Sequence, residues 1–272
     1  MGMEKQRLDL LLTERGLAES RSQAQRLVMA GQVRVDGQVV LKAAVKVPES
    51  AELTVERGPK YVSRGGEKLE PAIEGFGLTN LSGWVCADVG ASTGGFTDCL
   101  LHYEAEKVYA IDVGYGILHW KLRTDPRVVS MERTNARHVE KLPEAVRLVV
   151  MDASFISLRI LLPVVRGWFD SAAGGQVVAL IKPQFEAGRA DAAKGEGVIR
   201  DPAVHRSVLR EVLGAAVREG FGVEGLICSP LHGPKGNTEF LTLLRWPAGA
   251  ESAELEARIA AVVPDEAAED PA

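Results

Sequence analysis

The sequence predicts an α/β fold: a doubly wound, mostly parallel sheet of about seven strands behind a small N-terminal α+β domain. Three observations carry that expectation. From residue 84 onward, short apolar runs alternate with helical stretches, the order that builds parallel strands joined by crossover helices. A glycine-rich turn, Gly90-Ala91-Ser92-Thr93-Gly94-Gly95, follows one of these runs directly. The first 40 residues instead hold two short helical patterns and a hairpin.

A chain of 272 residues, 46% apolar and 25% charged, has the balance of a globular protein and room for a large and a small domain. No apolar run reaches the ~18 residues of a membrane span, and no signal peptide pattern precedes Met3-Glu4-Lys5. Cys86, Cys99 and Cys228 are odd in number and far apart. They suggest neither a disulfide framework nor a zinc site, so no metal and a reducing cytoplasm are expected. The net charge of −5 is unevenly spread. Residues 1–68 carry 12 Lys/Arg against 9 Asp/Glu, residues 69–250 carry 19 against 21, and residues 251–272 carry 1 against 7. The acidity belongs mainly to the tail, so it does not argue against a nucleic-acid partner. That tail, residues 249–272, reads as a short helix followed by a flexible acidic end.

The N-terminal elements follow from local chemistry. Leu8, Leu10, Leu11 and Leu12 supply the apolar face of a first helix, which Gly16 stops. Ser20 and Gln23 form a capping box that starts a second helix with Ala24, Leu27 and Val28 facing inward. Val33-Arg34-Val35-Asp36-Gly37-Gln38-Val39 is a hairpin around an Asp-Gly turn. A Gly58-Pro59 breaker then places a domain boundary near residue 60, giving domains 5–60 and 61–248. The arginines on the helical pair could be a solvated face and nothing more. The order R-L-D-L-L-L…E-R-G-L…S-R-S…A-Q-R-L-V…V-D-G, however, resembles the RNA-binding domain of the ribosomal protein S-four type. The resemblance implies that Arg7, Arg21, Arg26 and Lys42 meet RNA phosphates.

In the larger domain the strands are expected at 84–89, 108–112, 127–130, 147–151, 176–181, 223–228 and 239–245. After the first of them comes Asp88-Val89-Gly90-Ala91-Ser92-Thr93-Gly94-Gly95-Phe96, a turn that brings bare backbone amides to a helix N-terminus. Its three glycines do not stand at the offsets of a dinucleotide fingerprint, and the Gly-Lys-Ser/Thr of a phosphate-binding loop is missing. Asp112 closes the next strand, where an acid takes the two hydroxyls of a ribose. An adenosine-bearing cofactor is the expectation.

Four further polar residues stand near strand ends. Lys68 precedes the first strand, Asp152 ends the fourth, Lys182 ends the fifth and Glu239 begins the last. Each has a plain reading: Asp152 as a turn cap, Lys68 as an ordinary helix lysine. Lys182 after Val-Val-Ala-Leu-Ile is harder to dismiss, because active residues of such sheets gather at the carboxyl edge. Together the four would aim two cations and two anions at one pocket.

The glycine turn resembles motif one of S-adenosylmethionine-dependent methyltransferases. With Ser-Arg-Gly-Gly-Glu-Lys-Leu, Glu-Arg-Thr-Asn-Ala-Arg, Asp-Ala-Ser-Phe-Ile-Ser-Leu and Ile-Lys-Pro-Gln-Phe-Glu, the chain from about residue 5 to 246 resembles the TlyA (hemolysin A) family of rRNA methyltransferases. The catalytic domain of that family is FtsJ-like, with a Rossmann-like sheet. One departure is Pro59-Lys60-Tyr61-Val62, where some relatives carry Arg-x-Trp-Val. The resemblance implies S-adenosylmethionine as cofactor and ribosomal RNA or ribosomal subunits as partner, with no membrane role. It carries a Lys-Asp-Lys-Glu catalytic tetrad for ribose 2′-O-methylation onto Lys68, Asp152, Lys182 and Glu239. It places the cofactor against Asp88, Gly90, Ser92, Thr93, Gly94, Gly95 and Phe96, with Asp112, Asn135 and Asp152, and adds Arg64 to the RNA contacts. Cytidine of the small or large subunit is the target it implies.

Residue chemistry agrees with an oxygen acceptor. The Asp/Asn-Pro-Pro-aromatic mark of exocyclic amine methylation is replaced by Asp152-Ala153-Ser154-Phe155, and no cysteine follows the fourth or fifth strand to attack a cytosine ring. Lys182 would orient or deprotonate the 2′-hydroxyl. A base role needs an uncharged amine, whereas nearby carboxylates favour the ammonium, so orientation and charge stabilisation are the expectation. Two rivals remain at this stage: a lytic protein, which would need a membrane-length segment, and a non-catalytic RNA-binding assembly factor, which would not need all four charges.

Overall fold

A computed structural model describes residues 5–56, 58–188, 197–249 and 254–264. It divides into two compact units, Met1–Lys60 and Tyr61–Ala272.

The first unit runs β1 (Lys5–Arg7), α1 (Leu8–Glu14), α2 (Arg21–Met29), β2 (Val33–Val35), β3 (Gln38–Val39), β4 (Lys46–Pro48) and β5 (Leu53–Val55). β1 pairs antiparallel with β4, and β2 lies between β3 and β5. Asp36 and Gly37 both take positive φ, 49° and 80°, the two left-handed residues that a tight hairpin turn requires. At the start of α2, Ser20 Oγ accepts from the Gln23 amide at 3.2 Å, while Gln23 Oε1 accepts from the Glu19 amide at 2.6 Å. The reciprocal cap is therefore present but reaches one residue further back than a capping box predicts. Leu8, Leu11, Leu12, Ala24, Val28 and Val33 form the core.

Asp9 breaks the simple pattern. It sits among the leucines with no solvent exposure and accepts from Arg7 Nε and Nη2 (3.0 and 2.9 Å), Arg21 Nε (3.0 Å) and Gln25 Nε2 (2.9 Å). The Arg7 fork holds its carboxyl well below the usual carboxylate range; burial opposes, and Gln25 and Arg21 add to the lowering. A depressed folded value means that this stability is present above the unfolded value of about 4 and is lost as pH falls below it. We expect Asp9→Asn to lower the local stability of this unit by about 2 kcal/mol at pH 7 and to flatten its acid dependence. Hydrogen-exchange protection at Leu11 and Val28 in the full chain, compared at pH 7 and pH 2.5, checks this. Equal protection in both proteins would refute it.

The second unit is built on seven strands: β6 (Val85–Val89), β7 (Lys107–Ile111), β8 (Val128–Met131), β9 (Leu148–Met151), β10 (Gly175–Ile181), β11 (Gly222–Cys228) and β12 (Phe240–Trp246). Their spatial order is β11-β12-β10-β9-β6-β7-β8. β12 is antiparallel to both its neighbours and the other pairs are parallel, so the expected mostly parallel sheet is present. Helices α3 (Gly65–Gly75), α4 (Gly95–His102), α5 (Trp120–Arg123), α6 (Leu158–Arg166), α7 (Pro183–Glu186), α8 (Pro202–Arg218) and α9 (Leu255–Val262) complete it.

Alternation along the strands divides the core. Cys86, Leu148, Val150 and Leu180 meet Leu69 of α3 and Leu100 of α4 on one face. Ala87, Val149, Met151 and Ala179 meet Leu161 of α6 and Leu209 of α8 on the other. β9 and β10 are buried along their whole length, which is why they read as unbroken apolar runs.

The short helix expected in the tail is present, and the flexible acidic end expected after it lies outside the described residues. That helix, α9, packs against the core, with Ile259 and Val263 1% and 6% exposed and Glu256 paired to Arg210 at 2.8 Å. Leu255, Ile259 and Val262 make an apolar stripe one helical turn wide, and that stripe outweighs the acidic composition. Residues 250–253 and 265–272 lie outside the described residues. Among the described residues no helix is long and apolar enough to cross a membrane, and no cluster of three His, Cys, Asp or Glu could hold a metal ion.

Candidate active site

The strand order reverses between β6 and β9, and the crevice of such a sheet opens at the carboxyl ends of its strands there. Because β12 runs antiparallel, its amino end lies at the same edge as the carboxyl end of β10, where Ile181 pairs with Phe240. Residues that follow β6, β9 and β10 and one that precedes β12 are thereby delivered to a common edge.

The glycine turn after β6 shapes that edge. Gly90 has φ +85°, and a Cβ there would stand 2.8 Å from the Asp152 carbonyl oxygen. The turn and the segment after β9 touch backbone to backbone, which only glycine permits. Gly90 and Ala91 donate to the Ile111 carbonyl at 2.9 and 3.2 Å, and the Ser92 amide donates to Asp112 Oδ2 at 2.8 Å. At Gly95, a Cβ would lie 2.8 Å from the Gly66 amide nitrogen, so a bare backbone lets the starts of α3 and α4 meet.

Two adjoining hollows result. The larger, about 420 Å³, is lined by all four of Lys68, Asp152, Lys182 and Glu239, with Arg64 at its rim. The smaller, about 310 Å³, runs beside Asp112 and Asn135 with apolar walls from Ile111, Val113, Ile117 and Ala136. Gly90, Ser92, Asp152, Ser154 and Phe155 border both.

In the larger hollow the charges stand as two pairs. Lys68 Nζ donates to Glu239 Oε2 at 2.5 Å, and the other oxygen of Glu239 accepts from Gln184 Nε2 at 3.0 Å. Glu239 is fully buried and Lys68 7% exposed. The Glu239 carboxylate lies so close to Gly233 that any side chain at 233 would collide with it. Lys182 Nζ lies 2.6 Å from Asp152 Oδ1, off the line of a hydrogen bond, and donates to Ser154 Oγ at 2.9 Å. Lys182 is 8% exposed and Asp152 half-buried.

The other expected cofactor residues divide. Gly90, Ser92, Thr93, Gly95 and Phe96 border the larger hollow; Asp112 and Asn135 border the smaller. Asp88 and Gly94 line neither. Asp88 lies wholly inside the protein, accepting from Thr97 Oγ1 at 2.7 Å through one oxygen, so it ties the strand to α4 from beneath the turn. Burial pushes its carboxyl up to about 7, the Thr97 bond opposing. Gly94, at φ +97°, abuts Leu118 and Leu122. Its bare backbone serves packing, which a motif cannot distinguish from ligand contact.

Sequence reasoning named neither Ser154, Phe155, Gln184 nor Phe185 as site residues. Phe155 is 89% exposed at φ +63°, with its ring 4.8 Å from that of Phe185 at the rim of the larger hollow. An exposed phenylalanine in a left-handed conformation is strained, but neither property is legible from a Phe in a polar stretch. Gln184 and Phe185 stand one helical turn beyond Lys182 in Ile-Lys-Pro-Gln-Phe-Glu, and that proximity was the available signal.

In the N-terminal unit, Arg26 and Lys42 are exposed, whereas Arg7 and Arg21 spend part of their donors on Asp9, with side chains 37% and 51% exposed.

A model of the FtsJ-like methyltransferase family matches residues 61–246, and a model of the S4 domain matches residues 6–53. A Bacillus subtilis protein, provisionally named as the rRNA methyltransferase YqxC, is 46% identical over 263 residues, 94% of this chain and 91% of that one. TlyA of Mycobacterium tuberculosis, named a 16S/23S rRNA (cytidine-2′-O)-methyltransferase, is 46% identical over 243 residues, 88% of this chain and 89% of that one. Among solved structures, a Streptococcus thermophilus protein provisionally named a hemolysin superposes with a TM-score of 0.69 at 42% identity, covering 96% of both chains.

Proposed function

The chain belongs to the FtsJ-like methyltransferase family and carries an S4 domain, and from that premise we propose that it methylates ribosomal RNA at the 2′-hydroxyl of a cytidine, with S-adenosylmethionine as donor. The observation that carries this reading is the pair of lysine–carboxylate contacts in the larger hollow, directly beside a second hollow suited to an adenosine.

The smaller hollow fits such a donor by its own chemistry. Ile111, Val113, Ile117 and Ala136 offer apolar surface for a purine, Asn135 offers an amide, and Asp112 offers carboxylate oxygens to a ribose diol. Each Asp112 oxygen takes one backbone amide, from Ser92 or Gly114, and keeps further acceptor capacity. Gly90 leaves room where a side chain would strike the Asp152 carbonyl. The bound donor would supply an electrophilic methyl on a sulfonium, which the ribose oxygen takes as the carbon–sulfur bond breaks and the hydroxyl proton departs.

The residues of the chain do the positioning. Lys182 has three N–H groups: one donates to Ser154 and one side faces Asp152, leaving donor capacity toward the hollow for the ribose oxygen. It orients the hydroxyl and stabilises the negative charge that develops as the proton leaves toward solvent past half-buried Asp152. Lys68 and Glu239 line the same hollow, neutralising each other so that neither is buried as a lone charge. Arg64 at the rim, with Arg7, Arg21, Arg26 and Lys42 of the N-terminal unit, meets RNA phosphates, which makes binding fall steeply with salt. Such work belongs to the cytoplasm, where ribosomal subunits assemble.

Transfer of tritium from methyl-labelled S-adenosylmethionine to unmodified small subunits, large subunits and naked rRNA tests the reading, with mass spectrometry of nuclease fragments to place the label. A single ribose-methylated cytidine is expected. No transfer to any of the three, or label on a base, would overturn it.

A further inference from the structure

We propose that Glu186 is a positioning residue for methyl transfer, clamping the segment that carries Asp152, Ser154 and Phe155 onto the short helix that follows Lys182. The inference rests on the reading above and adds a residue that lines neither hollow.

The geometry is a staple with two ends. Lys182 and Glu186 bracket α7, whose single turn is closed by the Phe185 and Glu186 amides donating to the Lys182 carbonyl at 2.9 and 3.1 Å. At one end, Lys182 grips Asp152 and Ser154. At the other, the buried Glu186 carboxylate, 6% exposed, accepts from Ser157 Oγ at 2.6 Å and from the Leu158 amide at 2.7 Å. Leu158 opens α6, so the acid satisfies an otherwise unpaired helix amide and lies at the favourable end of the helix dipole. Arg159 reinforces the tie, standing 3.7 Å from Glu186 Oε2 and donating to Ser157 Oγ at 3.0 Å.

Between the two ends the chain arches through Phe155 in its left-handed conformation, and the ring rests on Phe185 of the same short helix. A strained arch persists only where its surroundings hold it. With Glu186 removed, the far anchor is gone, the arch can relax, and Asp152 and Ser154 shift against Lys182. A displacement of about 1 Å at a reacting centre costs up to ~100-fold in rate. Substrate contacts are not removed, so the loss belongs to turnover at saturation.

The test is kcat for rRNA methylation with donor and RNA both saturating, in Glu186→Ala, Glu186→Gln, Ser157→Ala and the Glu186→Ala/Ser157→Ala double variant. Glu186→Ala and Ser157→Ala are expected to lower kcat by about 10- to 100-fold and about 3- to 10-fold, with the double variant no slower than Glu186→Ala. Glu186→Gln keeps an oxygen for the Leu158 amide and recovers most of the rate. Should Glu186→Ala fail to fold, the Ser157→Ala and Glu186→Gln rates decide. Saturated rates within twofold of the parent in Glu186→Ala or in Ser157→Ala, or losses there confined to KM or Tm, overturn the proposal. Lys182→Ala run alongside separates the failures. If it abolishes transfer while the Glu186 and Ser157 variants do not, the clamp is wrong and the site stands. If it too is active, the site reading itself falls.

Discussion

In Lys182→Ala, methyl transfer is expected to fall by about 10³-fold or more while the donor still binds. The two properties separate because the donor's purine and ribose and the acceptor oxygen are proposed to meet different residues. Lys182 lines the larger hollow and not the one beside Asp112, so truncation removes the cation proposed to meet the acceptor oxygen and leaves the purine and ribose contacts at Asp112 and Asn135 in place. Folding is little affected, because the abandoned partner, Asp152, is half-buried and can regain water. Lys182→Met should be as inactive as the alanine variant, since it keeps the aliphatic stem and loses only the charge. Single-turnover transfer measures the first property and calorimetric titration with S-adenosylmethionine the second. Near-parental turnover in either variant would remove Lys182 from the mechanism.

The largest loss of stability is expected at Glu239. Its carboxylate has no solvent exposure, and its removal leaves Lys68, 2.5 Å away, as a buried ammonium without its partner and Gln184 without an acceptor. Breaking a buried pair from one side costs about 3–5 kcal/mol, which for a domain of this size lowers Tm by roughly 10 °C. Glu239→Ala should therefore unfold well below the parent in a thermal scan. Replacing both partners, as in Lys68→Met/Glu239→Leu, removes the desolvated charges together and should restore most of the lost Tm. Methyl transfer should stay low in the double variant. If activity returned with stability, the pair would be structural, and the catalytic reading of Lys68 and Glu239 would be wrong.

Much of the architecture was legible beforehand, for local reasons. All seven strands lie within two residues of their expected bounds, most plainly the fully buried β9, written as the unbroken apolar run Leu148-Val149-Val150-Met151. The Asp36-Gly37 turn and the Ser20 cap were legible because each is a contact between near neighbours. Asp9 was not. Beside Arg7 at i−2, its i+12 arginine and i+16 glutamine partners arrive only when α1 packs on α2, and an Asp among leucines reads as a solvent position until then. Gly94 and Asp88 were legible as a motif but not as packing elements, since a fingerprint records which residues are required and not what each one touches.

By itself, then, the chain's order of residues determined its elements and the residue types available for chemistry: strand and helix periods, a turn that only glycine can make, and acids and lysines at strand ends. These rest on energies set within a few neighbouring residues. Tertiary structure alone decided which charges meet. Lys68 and Glu239 are 171 positions apart, and their contact depends on β12 inserting antiparallel beside β10. The arch through Phe155 and the docking of α9 depend likewise on partners brought in from distant segments. Such pairings are selected by the packing of the whole sheet, which no spacing along the chain records.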